Sequence, residues 1–127
     1  MLRVFPIIIM LSTCGPDETL TGYGQTDDVY VLQTMNDTPV AQRITLSLSD
    51  PGRISGDAPC YSYTARQTAP YPWFDVSPIA AMRMACPDLA LEVDFFAGLQ
   101  SMMFAEALGD TLILTNEDGD SMVFQVP

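Results

Sequence analysis

The sequence predicts an α+β domain, in which a small antiparallel β-sheet or partly open barrel of short strands packs against one helix. Short segments with strand-like composition follow one another through most of the chain. The 10 prolines and 8 glycines among 127 residues indicate many turns between them. Only residues 88–101 form a convincing helix. By its length the chain is one domain, able to bury roughly two-thirds of its unfolded surface.

The strands are predicted from apolar alternation and β-branched composition. The alternation is clearest at residues 43–48, where Ile44, Leu46 and Leu48 share one face of the strand. The predicted strands are 29–34, 43–48, 53–56, 58–64, 73–76, 103–107, 111–115 and 121–126. Several are joined by short segments of turn-forming residues, at 36–39, 50–52 and 116–119.

The helix is predicted to open at Pro87 and Asp88, because both residue types are common at the start of a helix. An apolar face follows. Its members are Leu89, Leu91, Val93, Phe95, Phe96 and Leu99.

The N-terminus has the pattern of a lipoprotein signal peptide over residues 1–13. Arg3 supplies a positive charge, residues 4–11 are almost entirely apolar, and the tetrapeptide ending at Cys14 resembles a lipobox. The apolar run is well short of the roughly 20 residues that span a bilayer. We therefore expect lipidation of Cys14, and Gly15 after it favours the periplasmic face of the outer membrane. The alternatives are a secretory signal peptide cleaved elsewhere and a buried first strand.

Residues 14–27 are predicted to be a flexible tether between the lipid and a domain at 28–127. This stretch is rich in Gly, Thr and acidic residues and has no apolar periodicity.

The remaining two cysteines, Cys60 and Cys86, are predicted to form a disulfide, because an even remainder in an oxidising compartment indicates a bridge. Closing a loop of about 27 residues stabilises a fold by roughly 3.5 kcal/mol. Two buried free thiols are the alternative.

The charge balance excludes one class of partner. Against 16 acidic residues stand 5 arginines and neither Lys nor His, for a net charge of −11. Nucleic acid is not expected to bind, because affinity for phosphates comes from Lys and Arg. Anionic lipid head groups attract basic segments in the same way, so the domain is not expected to be held to a membrane by charge, and membrane contact is expected from the first 14 residues.

The order of motifs along residues 28–127 resembles the META domain family, which includes the bacterial heat-shock protein HslJ. The motifs are Gly-Arg-Ile-Ser-Gly at 52–56, Cys60, Met-Arg-Met-Ala-Cys at 82–86, a helix with Glu92, and Gly-Asp-Thr-Leu-Ile-Leu at 109–114. The family's Gly-Cys-Asn is Pro59-Cys60-Tyr61 here. Met82 stands where the family has Thr, and Tyr30 where it has Trp. The resemblance implies a small mixed sheet with a helix packed on it, a link to envelope stress resistance, and no established catalysis.

Catalysis is not expected. Without His or Lys, a Ser or Cys nucleophile lacks its usual base. No cofactor or metal site is predicted either. The Asn116–Asp120 stretch is interpreted as a hairpin turn rather than a calcium loop, since its Gly comes fourth. Met82, Met84, Met102 and Met103 are interpreted as core residues rather than Cu(I) ligands.

Four residues are candidates for a structural or binding role: Arg83, Glu92, Tyr61 and Trp73. Arg83 is expected to pair with Glu92, or else to bind an anionic ligand. Tyr61, Tyr63, Tyr71, Trp73 and Phe74 form an aromatic concentration. It is interpreted as the inner face of two strands, with a patch for a hydrophobic partner as the alternative.

These expectations describe a non-catalytic, lipid-anchored envelope protein with an accessory or protein-interaction role in envelope maintenance or stress tolerance. An envelope protein is its expected partner. The second hypothesis is a module that binds a small ligand or a metal.

Overall fold

The computed structural model describes residues 17–81 and 86–127. Within them it confirms the α+β class, as an open antiparallel sheet of nine strands with one helix packed on it. The strands are β1 (Val29–Met35), β2 (Thr38–Pro39), β3 (Thr45–Ser47), β4 (Arg53–Asp57), β5 (Ser62–Arg66), β6 (Ala80–Ala81), β7 (Phe104–Leu108), β8 (Thr111–Thr115) and β9 (Ser121–Gln125). Helix α1 (Leu89–Ser101) lies between β6 and β7 in the chain.

The strand order across the sheet is β6-β5-β4-β3-β1-β9-β8-β7, and β2 pairs with the end of β1. β1, the first strand in the chain, therefore lies between β3 and β9, which is the last strand in the chain. Leu32 of β1 is opposite Phe124 of β9, and both side chains are buried. Tight turns make these antiparallel pairs possible. Asn36 and Asp37, with φ of 51° and 66°, form the two-residue turn between β1 and β2.

The core is built by alternating residues, as the sequence predicts. Ile44, Leu46 and Leu48 are fully buried. Thr45, predicted on the opposite face, is buried too. The reason is Gly56 on the neighbouring strand, where an added Cβ would overlap the carbonyl oxygen of Thr45. The absent side chain lets the backbone of β4 approach β3 closely.

Helix α1 buries fewer of its apolar side chains than the predicted apolar face contains. Phe95 and Leu99 are fully buried, and the ring of Phe95 packs edge-on against Tyr63 at 5.5 Å between centroids. Val93, predicted on the apolar face, is 49 % exposed. Asp88 occupies the N-cap position but makes no side-chain cap hydrogen bond.

Residues 17–24 pack against the domain, although the sequence predicts a flexible tether over residues 14–27. Leu20 is fully buried within a 3₁₀ turn, Leu20–Gly22. The hydroxyl of Thr21 accepts a hydrogen bond from the N–H of Gly52 at 3.1 Å. A single anchoring leucine has no periodicity, so composition alone could not reveal it.

Asp17 stabilises this turn. Its carboxylate accepts hydrogen bonds from the N–H of Thr19, at 2.9 Å, and from the hydroxyls of Thr19 and Thr21. Partial burial alone raises the pKa of Asp17, but these hydrogen bonds outweigh it and the pKa is lowered. The ordered part of the domain therefore includes residue 17.

The disulfide between Cys60 and Cys86 is confirmed, with 6.1 Å between the two Cα atoms. Cys60 was expected inside a strand, but it lies in the loop between β4 and β5. The bridge joins this loop to the residues that precede α1.

The two ends of the sheet are linked by the chain between β5 and β6. Trp73 pairs with Phe104 of β7, and Val76 pairs with Gln67 directly after β5. Gln67 is fully buried, and its side-chain oxygen accepts the N–H of Asp75 at 2.8 Å. The predicted strand at 73–76 is thus reduced to two isolated bridges. Among the described residues, no helix is both long and apolar enough to cross a membrane.

Candidate functional site

The N-terminal end of α1 is fixed by a buried carboxylate. Glu92 is 2 % exposed, and its Oε1 accepts the backbone N–H groups of Cys60, at 2.9 Å, and Tyr61, at 3.1 Å. Glu92 lies in the first turn of the helix, where the helix dipole favours a negative charge. The ion pair expected between Glu92 and Arg83 lies outside the described residues.

Glu92 and the disulfide bind the same loop to the same helix. The disulfide attaches Cys60 to Cys86, just before α1, and Glu92 binds the loop from within the first turn. Tyr61 is half-buried and contributes its N–H. Of the candidate residues, Glu92 and Tyr61 are therefore brought together. The hydrogen bond between them holds the backbone of the loop at Tyr61 against the helix.

Trp73 lies in a different part of the molecule, beside the residues that end α1. It lines a groove with Ser101, Met102 and Met103. α1 is 13 residues long, so its axis spans roughly 20 Å between the Glu92 end and this end. The three candidates that the structure describes, Tyr61, Glu92 and Trp73, accordingly do not form one site.

Trp73 belongs to what we call the aromatic surface: Tyr23, Tyr71, Trp73, Met103 and Phe104. Trp73 is 52 % exposed and its ring lies 5.2 Å from that of Phe104. Tyr23 is 54 % exposed and stacks on Tyr71 at 4.3 Å. Tyr71 and Phe104 line one further groove, which joins the two pairs. Exposed apolar groups that cluster are typical of interaction surfaces, so this surface is a candidate for one.

The aromatic concentration predicted from the sequence is therefore divided between two roles. Tyr63 and Phe74 are buried, as expected for the inner face of strands, whereas Trp73 is exposed. The hydroxyl of Tyr63 donates to the carbonyl of Thr45 at 2.7 Å, and burial raises the pKa of Tyr63 well above its ordinary value. Tyr23 and Phe104 were not singled out, because each is isolated in a sequence segment whose partners are distant.

The segment beside Trp73 also covers the edge of the sheet. The carbonyl oxygen of Pro72 accepts the N–H of Ala105 at 2.8 Å, and the hydroxyl of Tyr71 accepts the N–H of Ala107 at 3.0 Å. Both N–H groups belong to β7, which is the strand at one edge of the sheet. Unpaired N–H and C=O groups of an edge strand promote pairing with other chains. These two hydrogen bonds leave fewer such groups free on β7.

Acidic side chains flank the aromatic surface. Asp75 lines the groove on the Trp73 side, and Glu106 lines the groove on the Tyr71 side. The described lining of both grooves includes neither Lys nor Arg.

A third groove, of about 220 Å³, runs between α1 and β6. Its described lining is mostly apolar, with Glu92 and Gln100 as the polar members. The exposed Val93 contributes to it. We call it the α1 groove.

Within residues 17–81 and 86–127, no three His, Cys, Asp or Glu side chains are grouped to hold an ion. The side chain of Asn116 instead accepts the N–H groups of Asp118, at 2.9 Å, and Asp120, at 3.1 Å, as a turn residue does. Met102 is buried, as expected of a core residue, but Met103 is 38 % exposed. Met82 and Met84 lie outside the described residues.

Comparison with known proteins establishes the family. The META domain family matches residues 23–127, and the chain belongs to it. The match begins before residue 28, in agreement with the ordered segment that precedes β1. No curated protein matches the chain.

Two solved NMR structures are similar to this chain. One, of a protein from Burkholderia xenovorans, is 18 % identical with a TM-score of 0.63, over 97 % of this chain and 99 % of that one. The other is 17 % identical with a TM-score of 0.62, over 80 % of this chain and 90 % of that one. At these identities the likeness concerns the fold alone.

Proposed function

We propose that the protein is a lipid-anchored, non-catalytic protein of the bacterial cell envelope, and that its META domain has an accessory, protein-interaction role in envelope maintenance or stress tolerance. Cys14 is the proposed lipidation site, and the periplasmic face of the outer membrane is the proposed location. The signal-peptide pattern of residues 1–13 and the disulfide support this proposal, since disulfides persist in oxidising compartments.

One observation carries the proposal. The domain includes Asp17, which is three residues after Cys14 in the sequence. Fully extended, three residues span about 11 Å. A lipid on Cys14 therefore holds the domain directly on the bilayer, which suits a protein that acts at the membrane on other envelope components.

The non-catalytic part of the proposal rests on the chemistry of the side chains. The sequence has neither His nor Lys, and the buried carboxylate of Glu92 is occupied with two backbone N–H groups. A general base must be within hydrogen-bond reach of a substrate proton, and Glu92 is 2 % exposed.

The anchor is tested by the intact mass of the protein purified from its native membrane, before and after reduction. We expect a chain that begins at Cys14, carries acyl groups and gains two hydrogen atoms on reduction. Cys14→Ser is expected to leave the precursor unprocessed and without lipid. An unlipidated wild-type protein would overturn the proposed anchor.

The interaction role is tested at the α1 groove with a photo-cross-linking residue in place of Val93. Asp94 is the matched control, because it is the next residue, is exposed and is not among the lining residues of the groove. We expect one envelope protein to be cross-linked from position 93 and not from position 94. Equal cross-linking from both positions would contradict a specific contact.

A small-ligand module is the second candidate, favoured by the same groove. Its volume of about 220 Å³ is below the roughly 300–1,000 Å³ of sites for drug-sized molecules, so only a small apolar ligand fits. A rise in melting temperature with such a compound, abolished by Phe96→Asp, would favour this candidate over a protein partner.

A further inference from the structure

We propose that the aromatic surface is a membrane contact, which lies on the interfacial layer of a zwitterionic bilayer when Cys14 carries lipid. This inference rests on the proposed acylation and adds to it an orientation: it states which side of the domain faces the membrane.

The first argument is where residues 17–19 lie. The carbonyl oxygen of Glu18 accepts the N–H of Tyr71 at 2.7 Å, and Thr19 forms a bridge with Pro70. Residues 17–19 therefore run alongside the segment that carries Tyr71 and Trp73. Residues 17–19 thus lie at the border of the aromatic surface.

The second argument is the short distance to the lipid. Cys14 precedes Asp17 by three residues, which span about 11 Å at most. A domain attached so closely turns toward the bilayer the side on which the attachment begins. Among the described residues, that side includes Tyr23, Tyr71 and Trp73.

The third argument is the chemistry of the exposed groups. Trp and Tyr are enriched where proteins meet the membrane interface, because their rings are apolar and each carries a polar group. Trp73 and Tyr23 are each more than half exposed, and the partly exposed Met103 adds apolar area beside Trp73. Burial of these groups in the membrane interface removes apolar surface from water. The contact therefore does not need basic residues to attract lipid head groups.

The charges select the type of lipid. Asp75 and Glu106 lie in the grooves on either side of the surface, and the whole chain has a net charge of −11. Anionic lipids are repelled by this arrangement. The ammonium groups of phosphatidylethanolamine or phosphatidylcholine, in contrast, suit both the carboxylates and the face of Trp73.

The test uses a reporter that the chain already contains, because Trp73 is its one tryptophan. The protein is purified from its native membrane, its acylation is verified by intact mass, and it is reconstituted into zwitterionic vesicles with brominated acyl chains. Flotation verifies that it is bound. We expect the emission of Trp73 to shift to shorter wavelength and to lose most of its intensity to the bromines.

The matched control moves the tryptophan. In the variant Trp73→Phe with Ala90→Trp, the reporter is at an exposed position in the first turn of α1, roughly 16 Å along the helix axis from Ser101. We expect little quenching there. A flexible Gly-Ser insertion between Gly15 and Pro16 should reduce the quenching of Trp73, because the surface is then no longer held at the bilayer.

The outcomes separate this inference from the proposed anchor. Acylated, floated protein with Trp73 quenched no more than the tryptophan at position 90 would overturn the membrane contact and leave the anchor standing. The aromatic surface would then be assigned to a protein partner. A mass without acyl chains would overturn the anchor and the orientation together.

Discussion

The N–H of Cys60 lies 2.9 Å from Oε1 of Glu92, so a backbone group beside the disulfide is bound by a side chain of α1. The same oxygen accepts the N–H of Tyr61 at 3.1 Å. The loop between β4 and β5 is thus attached by two hydrogen bonds to the helix and by one covalent bond to Cys86, just before it. Helix α1 contributes few buried side chains, and these attachments fix its first turn on the sheet.

Replacement of Glu92 by Ala is expected to lower the free energy of unfolding by about 2 kcal/mol, because two partly buried N–H groups lose a charged acceptor. Glu92→Gln keeps an oxygen acceptor and should cost less. Urea unfolding measures both. Asp94→Asn, an exposed change on the same helix, is the control and should stay within about 0.5 kcal/mol of wild type. Equal stability of Glu92→Ala and wild type would contradict the role of this carboxylate.

Removal of the disulfide by replacing Cys60 and Cys86 together with Ser is expected to lower the free energy of unfolding by about 3.5 kcal/mol, since the bridge closes a loop of some 27 residues. The hydrogen bonds of Glu92 still bind the loop, so the domain should remain folded. The comparison is urea unfolding of the variant and of the oxidised wild type. A variant that lacks a cooperative transition would show that Glu92 alone is insufficient.

Gly56→Ala is expected to destabilise the domain by about 3 kcal/mol, because the new Cβ would overlap the carbonyl oxygen of Thr45, which also accepts the hydroxyl of Tyr63. Gly98→Ala is the matched control. The nearest atoms to its Cβ would be the terminal methyl groups of Met122, at 3.3 Å, and Met35, at 3.6 Å, which are the ends of flexible side chains, and alanine favours helix. Thermal unfolding should separate the two variants, and similar melting temperatures would refute the close approach of β3 and β4.

Stability is expected to fall at alkaline pH because of Tyr63. Burial raises the pKa of Tyr63 in the folded state, so the unfolded chain releases this proton first. The contribution is fully present below the unfolded pKa of about 10 and is lost as the pH rises above it, by about 1.4 kcal/mol per pH unit. Burial also raises the pKa of Tyr30, which adds to the effect. Tyr63→Phe should have a shallower decline of unfolding free energy between pH 10 and 11; an unchanged slope would exclude Tyr63 as the cause.

Tyr71→Phe tests the covered edge of the sheet. Loss of the hydroxyl leaves the N–H of Ala107 without this acceptor, at a cost of about 1 kcal/mol, and exposes part of β7 to strand pairing. Tyr23→Phe is the control, because it retains the ring that stacks on Tyr71. Light scattering on storage at high concentration should increase for Tyr71→Phe alone. The same increase in both variants would point to general loss of solubility.

Much of the fold follows from local pattern. Residues 111–115 were predicted as a strand and form β8, because a short run of apolar and β-branched residues after a turn is visible within one segment. Leu20 was missed because a single anchoring residue has no period. The partners of Glu92 were missed for a different reason: every residue carries a backbone N–H, so the sequence does not mark which of them a carboxylate will bind. The exposed aromatic surface likewise depends on bringing Tyr23 to Tyr71 and Trp73 to Phe104, and only the folded chain does so.

The pairing of β1 with β9 has a consequence for how the protein is made. These strands contain residues 29–35 and 121–125, and each supplies the neighbour that the other needs at the centre of the sheet. A chain that leaves a ribosome or a secretion channel N-terminus first cannot complete this sheet until residues 121–125 have emerged. β1 therefore lacks one of its two neighbours while residues 36–120 are made or exported, and a pairing between such distant segments is expected to form slowly.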